Sequence, residues 1–359
     1  MAAKSTSEGD VQVLRAFAAA SVVAGATIVP TVAAEVSGAG ATFPYPIYAK
    51  WAEAYKTETG IVVNYESIGS GDGIRRIQRG EATFGATDMP LSVKDLDADG
   101  LVQFPTVIGG IAVVVNIEGV KTGDLALDGP TIAKIFLGEI RSWNHATIRK
   151  LNPNLKLPSQ AITVVHRADG SGTTFAFTDY LAQVSPDWRS KVGSITSVEW
   201  PTGVGAPGNQ GVADTVSKTK GSIGYVEYAY AAQKKLACAK LTNKDGKAVV
   251  PGIGSFAAAA SNANWEETPG FRVNLTNGGG AATWPIAGAT FILMHKQPGD
   301  PVAAGAALKF FDWAYTKGGR LAEQLDYVPM PGNVVSAVQR LWAAQIKDAS
   351  GKPLFVLSK

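Results

Sequence analysis

A strand-like run, Val164-Val165-His166-Arg167, enters a turn holding a guanidinium, a carboxylate, two glycines and three hydroxyls: Arg167, Asp169, Gly170, Ser171, Gly172, Thr173 and Thr174. Those residue types suit the capture of an anion. Glycine lets backbone approach a ligand closely, and the unpaired amides opening a following helix supply donors and partial positive charge. Arg167 adds a forked cation matched to an oxyanion. A solvated loop capping a helix, with Arg167 paired to Asp169, accounts for the same residues. Three further junctions carry comparable groups: Thr42 and Phe43 within Gly-Ala-Gly-Ala-Thr-Phe-Pro at 38–44, Ser70 within Gly-Ser-Gly-Asp-Gly at 69–73, and Asp88 after Thr-Phe-Gly-Ala-Thr at 83–87.

The elements that must position these groups alternate between strand and helix. Ile47, Trp51 and Ala54/Tyr55 recur at helical spacing behind Pro46, and Gly60 marks a stop. Strands are expected at 61–65, 83–87, 162–167, 222–226 and 290–294, and a helix with a Ser92/Asp95 capping box follows Asp88. Pro130 to Leu137 reads as a helix closed by Gly138, and Phe177, Tyr180/Leu181 and Val184 give the helix after the Arg167 turn a buried face. The apolar run from Phe104 to Asn116 is broken by Gly109-Gly110 and is long enough to carry the chain from one lobe to another. This is an α/β pattern. In such folds ligands sit outside the carboxyl ends of the strands, where all four junctions fall.

At 359 residues with 46% hydrophobic composition, the chain suits two lobes rather than one. A net charge of only +3, without a block of like charges, argues against a nucleic-acid or acidic-membrane partner. Residues 1–34 read as an export leader: Lys4 and Arg15 precede an uncharged run that ends in Val32-Ala33-Ala34, which places the mature start near Glu35. Cys238 stands alone, so an intramolecular disulfide is excluded, and the leader lacks the cysteine of a lipid anchor. Neither Ser70 nor Ser171 sits in a Gly-x-Ser-x-Gly elbow, and the three histidines, His145, His166 and His295, form no metal motif. His166 beside Arg167 is a base by position, but a histidine at a strand end is more often structural.

The stretches at 38–44, Phe-Gly-Ala-Thr-Asp-Met-Pro-Leu-Ser at 84–92, Gln-Phe-Pro-Thr-Val-Ile-Gly-Gly at 103–110, Arg-Ala-Asp-Gly-Ser-Gly-Thr at 167–173, Gly-Tyr-Val-Glu-Tyr-Ala-Tyr at 224–230 and Lys-Phe-Phe-Asp-Trp-Ala at 309–314 resemble the periplasmic phosphate-binding proteins of bacterial phosphate ABC importers. The likeness runs in order from about residue 37 to the C-terminus. It implies an α/β, type II-like periplasmic binding protein fold: two lobes, each a mixed sheet flanked by helices, closing on one phosphate in the cleft between them. Residues 35–112 and 288–359 would form the first lobe and 113–287 the second, inserted lobe. It also implies phosphate contacts from Thr42, Phe43, Ser70, Asp88, Arg167, Ser171, Gly172 and Thr173, with Asp169 as the partner of the arginine. The expected protein is a monomer in the periplasm, without catalysis, cofactor or metal, that hands phosphate to membrane permease subunits. One departure stands out: Gly71-Asp72-Gly73 follows Ser70 where a second serine and then glycine are expected. Asp72 is either a helix cap or a competitor for the amides.

In that setting Asp88 is the group that selects. Phosphate at neutral pH carries one or two protons and sulfate carries none. A phosphate hydroxyl can donate to the carboxylate, whereas a sulfate oxygen would face it with no proton between them.

Overall fold

Strand and helix alternate from the first described residues. The computed structural model describes residues 35–357, so the expected leader lies outside the described residues. The first part runs β1 (Val36–Gly40), α1 (Tyr45–Thr59), β2 (Val63–Ser67), α2 (Ser70–Gln78), β3 (Phe84–Thr87), α3 (Val93–Ala98) and β4 (Leu101–Val115). Helix α1 buries Ile47, Tyr48, Trp51 and Tyr55 along one stripe and ends at Gly60, whose φ of 76° is the left-handed conformation that glycine adopts most readily. Ser92 caps α3 by accepting from the Asp95 amide, while its own hydroxyl donates to the Asp95 carboxylate. Only half of the expected reciprocal box is therefore present.

The middle part runs β5 (Ala126–Asp128), α4 (Gly129–Phe136), α5 (Ala146–Leu151), β6 (Thr163–Arg167), α6 (Gly172–Val184), α7 (Pro186–Lys191), β7 (Val204–Ala206), α8 (Gly208–Lys218), β8 (Ser222–Glu227), α9 (Tyr228–Gln233), β9 (Ala237–Cys238), β10 (Lys240–Thr242), β11 (Ala248–Val249) and α10 (Ile253–Ala260). The chain closes with β12 (Ala287–His295), α11 (Pro301–Thr316), α12 (Gly319–Glu323), β13 (Val328–Pro329) and α13 (Gly332–Gln345).

The main sheet has the order β2-β1-β3-β12-β4-β8-β6-β7, with β13 and β9 also paired to β4. Everything turns on β4. Its residues Leu101 to Gly110 pair antiparallel with β12, and Ile111 to Val115 pair antiparallel with β8. The run read as broken at Gly109-Gly110 is thus one continuous, wholly buried strand that changes partner there. The glycines serve close approach instead. A Cβ on Gly110 would lie 1.9 Å from the Phe256 ring and one on Gly109 would lie 2.9 Å from the Phe43 ring, so both aromatics pack directly on the backbone.

Strand direction follows from these pairings. β1 and β3 run parallel to each other and alongside the first part of β4, towards Gly110, whereas β8 runs back along β4 and ends opposite Ile111, with β6 parallel to it. The carboxyl ends of both sets of strands therefore meet near the middle of β4. Side chains at those ends are brought face to face. Tyr48, Phe84, Phe104, Phe311 and Trp342 pack on the sheet in edge-to-face contacts, and Phe177 stacks on Tyr225 of β8 at 4.2 Å. Each such buried aromatic contributes about 1.5–3 kcal/mol of transfer free energy, which holds the strand ends in register.

Candidate anion-binding site

Helix α2 opens at Ser70 and helix α6 at Gly172, and these two helix starts meet. Ser70 Oγ accepts from the Gly172 amide at 3.0 Å and from the Asp88 amide at 3.2 Å, and the Gly71 amide donates to the Gly170 carbonyl at 2.9 Å. Backbone from β1, β3 and β6 thereby encloses one small volume. Thr42, Phe43, Ser70, Asp88, Arg167, Ser171 and Thr173 are all buried around it. All eight expected contact residues are brought together.

Hydroxyl orientation there is decided by amides. Ser70 Oγ takes the two amides just named, Ser171 Oγ accepts from the Thr174 amide at 3.0 Å, Thr42 Oγ1 accepts from Asn209 Nδ2 at 2.8 Å, and Thr173 Oγ1 accepts from the same Nδ2 at 3.2 Å. A hydroxyl that already accepts keeps its single hydrogen to donate. Three donors, on Thr42, Ser171 and Thr173, are consequently left for something that accepts, while Ser70 also hydrogen-bonds the Asp88 carboxyl.

Arg167 is held by two parallel bonds to Asp169: Nε donates to Oδ1 at 2.7 Å and Nη2 donates to Oδ2. Its own backbone amide donates to Tyr225 Oη at 3.2 Å, and Asp169 Oδ1 also accepts from the Gly208 amide at 2.9 Å. Burial pushes the Asp169 carboxyl up, but the hydrogen bond and charge of Arg167 outweigh it and hold the group below its usual range. That clamp fixes the guanidinium plane and leaves Arg167 Nη1 buried with no protein partner. An unpaired buried cationic N–H costs more than an ordinary lost hydrogen bond, which makes this a position suited to an anion.

Asp88 is the one acceptor among these donors. Its Oδ1 accepts from Thr290 Oγ1 at 2.7 Å. Burial raises its pKa to about 7, against the opposing pull of the Thr290 hydrogen bond, the Arg167 charge and Ser70. Its carboxyl therefore changes protonation state near neutrality.

Asn209, fully buried at the start of α8, has no place among the expected residues. It ties Thr42 to Thr173, and its Oδ1 accepts from the Glu227 amide at 2.9 Å. The only trace of it in the sequence is a further glycine turn, Pro207-Gly208-Asn209, behind a three-residue strand. Asp72 is settled more simply: it points outward and pairs with Arg75 one turn along α2, away from the amides it was expected to cap or occupy. His166 stacks on Trp200 at 4.7 Å with its Nδ1 3.1 Å from the Arg167 carbonyl, and burial lowers its pKa. Cavities of about 340 and 380 Å³ flank the site, one lined by Thr42, Asp169 and Asn209 and the other by Asp88, Phe175 and Ala176. A larger cavity of about 540 Å³ lies elsewhere, beside Glu35, Glu81 and Asp300, whose charges suit an anion poorly. Among the described residues no group of three or more His, Cys, Asp or Glu is placed to hold a metal, and no helix is long and apolar enough to cross a membrane.

Residues 25–317 match the family model described as a PBP superfamily domain. Curated relatives named "Phosphate-binding protein PstS" include that of Pasteurella multocida, 51% identical over 325 residues covering 90% of this chain and 94% of the relative. The protein of the same name from Haemophilus influenzae is 51% identical over 313 residues, covering 87% and 94%. Solved structures share the fold: a DING protein superposes with a TM-score of 0.71 at 20% identity over 90% of this chain and all of that one. A phosphate binding protein from Stenotrophomonas maltophilia gives 0.65 at 20% identity, covering 89% and 98%. The chain therefore belongs to the PBP superfamily and, within it, to the family whose members are named phosphate-binding protein PstS.

Proposed function

We propose that this protein binds inorganic phosphate and delivers it to the permease of an ABC-type importer. The observation that carries the reading is Arg167 Nη1, buried without a protein partner in a site where the Thr42, Ser171 and Thr173 hydroxyls have hydrogens free to donate. Such a site neutralises and disperses the charge of a small tetrahedral oxyanion. Asp88 then supplies selection, because it alone can accept from a protonated oxygen. The contacts are Thr42, Phe43, Ser70, Asp88, Arg167, Ser171, Gly172 and Thr173, with Asp169 holding Arg167; Phe43 acts through its amide, and Gly172 through an amide that it shares between the anion and Ser70 Oγ.

The protein works as two lobes, residues 35–112 with 288–359 and residues 113–287, hinged where β4 changes partner and where β12 begins opposite Gly110. It acts as a monomer in the periplasm, exported by a leader at 1–34 and free of a lipid anchor. Binding proceeds without turnover: Ser70 and Ser171 are engaged by amides rather than by a base, and His166 is stacked on Trp200. Calorimetric titration with phosphate, sulfate and arsenate in parallel tests the reading, together with incubation with a chromogenic phosphate ester. Tight phosphate binding with weak sulfate binding and no ester turnover is expected; equal affinity for sulfate, or steady turnover, refutes it.

A further inference from the structure

One stretch highlighted by the family resemblance, residues 224–230, supplies no ligand contact, yet three of its side chains reach the site. Tyr225 holds the Arg167 amide, Tyr230 Oη donates to the Thr42 carbonyl at 2.6 Å, and Glu227 lies between them, wholly buried at the end of β8. Across from Glu227 stands Tyr327, whose Oη is 2.7 Å from the Phe43 carbonyl and 2.7 Å from Glu227 Oε2.

A proton count decides what this means. The Tyr327 hydroxyl has one hydrogen and the Phe43 carbonyl can only accept. If Glu227 were ionised, two acceptors would compete for that hydrogen and one 2.7 Å oxygen–oxygen contact would hold no proton. A hydrogen on Glu227 Oε2 completes the chain, because Glu227 then donates to Tyr327 and Tyr327 donates to Phe43. Oε2 still accepts from the Ala229 amide at 3.0 Å. The other oxygen, Oε1, is buried with no partner, a modest cost for a neutral carbonyl and a large one for a carboxylate. The titratable groups facing Glu227 are Asp88 after β3, Asp326 and Tyr327 ahead of β13, and Tyr228 and Tyr230 on the helix that follows it; none of these is a cation. Burial itself pushes the Glu227 carboxyl well above its usual range, against the Ala229 and Tyr327 hydrogen bonds.

We propose that Glu227 is held as the neutral acid and acts as a positioning residue, its proton completing a Glu227–Tyr327–Phe43 chain that pins the Thr42–Phe43–Pro44 turn over the anion site. With Tyr230 holding the Thr42 carbonyl, the peptide whose N–H belongs to Phe43 is fixed from one side and the next peptide from the other. Glu227 also touches the opposite wall, since its amide donates to Asn209 Oδ1 and Asn209 in turn holds Thr42 and Thr173. The positioning role rests on the phosphate reading above; the protonation state does not.

Isotope-edited infrared spectroscopy of the wild-type protein, free of phosphate and at about pH 8, tests protonation directly, since Asp88, raised to about 7, is then mostly ionised. A neutral-acid carbonyl band that shifts on 13C-glutamate labelling and vanishes in Glu227→Gln is expected; no shifting band overturns the proposal. Phosphate titration tests positioning. Tyr327→Phe and Glu227→Ala should each weaken binding by about tenfold, the size of one hydrogen bond, while Glu227→Gln, whose amide can still donate to Tyr327, should stay within about threefold of wild type. Equal affinity in Tyr327→Phe and wild type, or Glu227→Gln as weak as Glu227→Ala, overturns the positioning role. A wild-type protein that shows the band but binds no phosphate overturns the phosphate reading and the positioning role with it, and supports the neutral Glu227.

Discussion

Gly172 and Asp88 stand so close that a Cβ on Gly172 would lie 2.5 Å from the Asp88 Cβ, with Ser70 Oγ at 2.6 Å and the Asp88 amide at 2.7 Å. Ser70 Oγ could rotate, but the Asp88 Cβ and amide are fixed by the backbone and cannot swing aside. Gly172→Ala should force the walls of the site apart and weaken phosphate binding by roughly 5- to 150-fold, the equivalent of the 1–3 kcal/mol of an overpacked contact. Calorimetry measures it, and an unchanged affinity would mean that the two helix starts do not meet in the bound protein.

Arg167 is committed to Asp169 through two bonds and presents its third nitrogen, Nη1, to the site. Arg167→Ala should cost about 1.5–3 kcal/mol of phosphate affinity, roughly 10- to 150-fold, the worth of a charged hydrogen bond. Arg167→Lys should lose nearly as much, because a single ammonium cannot keep the fork on Asp169 and reach the ligand as well. A lysine variant that binds like wild type would show that charge alone, and not the clamped plane, does the work.

Asp88→Asn replaces a pure acceptor with a group that can either accept or donate. Sulfate should then bind better, and the phosphate-to-sulfate affinity ratio should narrow by about tenfold or more, since the unpaired acceptor facing sulfate is gone. Competition titration reads that ratio directly. A ratio equal to that of the wild type would remove Asp88 as the selecting group.

The same carboxyl also predicts a pH dependence of stability in the protein free of phosphate. Its folded pKa, about 7, lies above the unfolded value of roughly 3.9, so the folded state retains a proton that the unfolded state releases. That contribution is complete below about pH 4 and is lost as pH rises to about 7. Asp88→Asn should flatten the decline across this window in denaturant titrations. A wild-type and a variant curve of the same slope between those limits would contradict the burial argument.

Asn209→Ala removes the link between Thr42 and Thr173 and leaves the Glu227 amide without its acceptor. A loss of about 1–3 kcal/mol in stability is expected from the orphaned buried groups, together with weaker phosphate binding, because Thr42 and Thr173 are then free to turn their hydrogens away from the ligand. Thermal unfolding and calorimetry on the one variant measure both.

Local sequence carries the parts of this protein whose causes are local. A β-branched run, a glycine turn and a helical apolar stripe are each written within a few residues, so the helix at 45–59, its stop at Gly60 and the strand feeding Arg167 were legible. The Arg167–Asp169 clamp was legible too, because two residues of separation place its ends together. The long strand was misjudged at Gly109-Gly110, where glycine usually signals a break; what those glycines admit are the rings of Phe43 and Phe256, far away in the chain.

What only the tertiary structure decided are the relations between residues remote in sequence. Asn209 meets Thr42 across 167 positions, Thr290 meets Asp88 across 202, and Tyr327 meets Phe43 across 284. No periodicity or spacing encodes such contacts. They arise because β4 changes partner at Gly110 and turns the carboxyl ends of two sets of strands towards each other. The sequence alone determined that groups suited to an anion end several strands and that a carboxylate sits among them. Which hydroxyls have hydrogens to spare, which guanidinium nitrogen is left unpaired and how far burial raises Asp88 depend on packing and desolvation, and these exist only once the chain has folded.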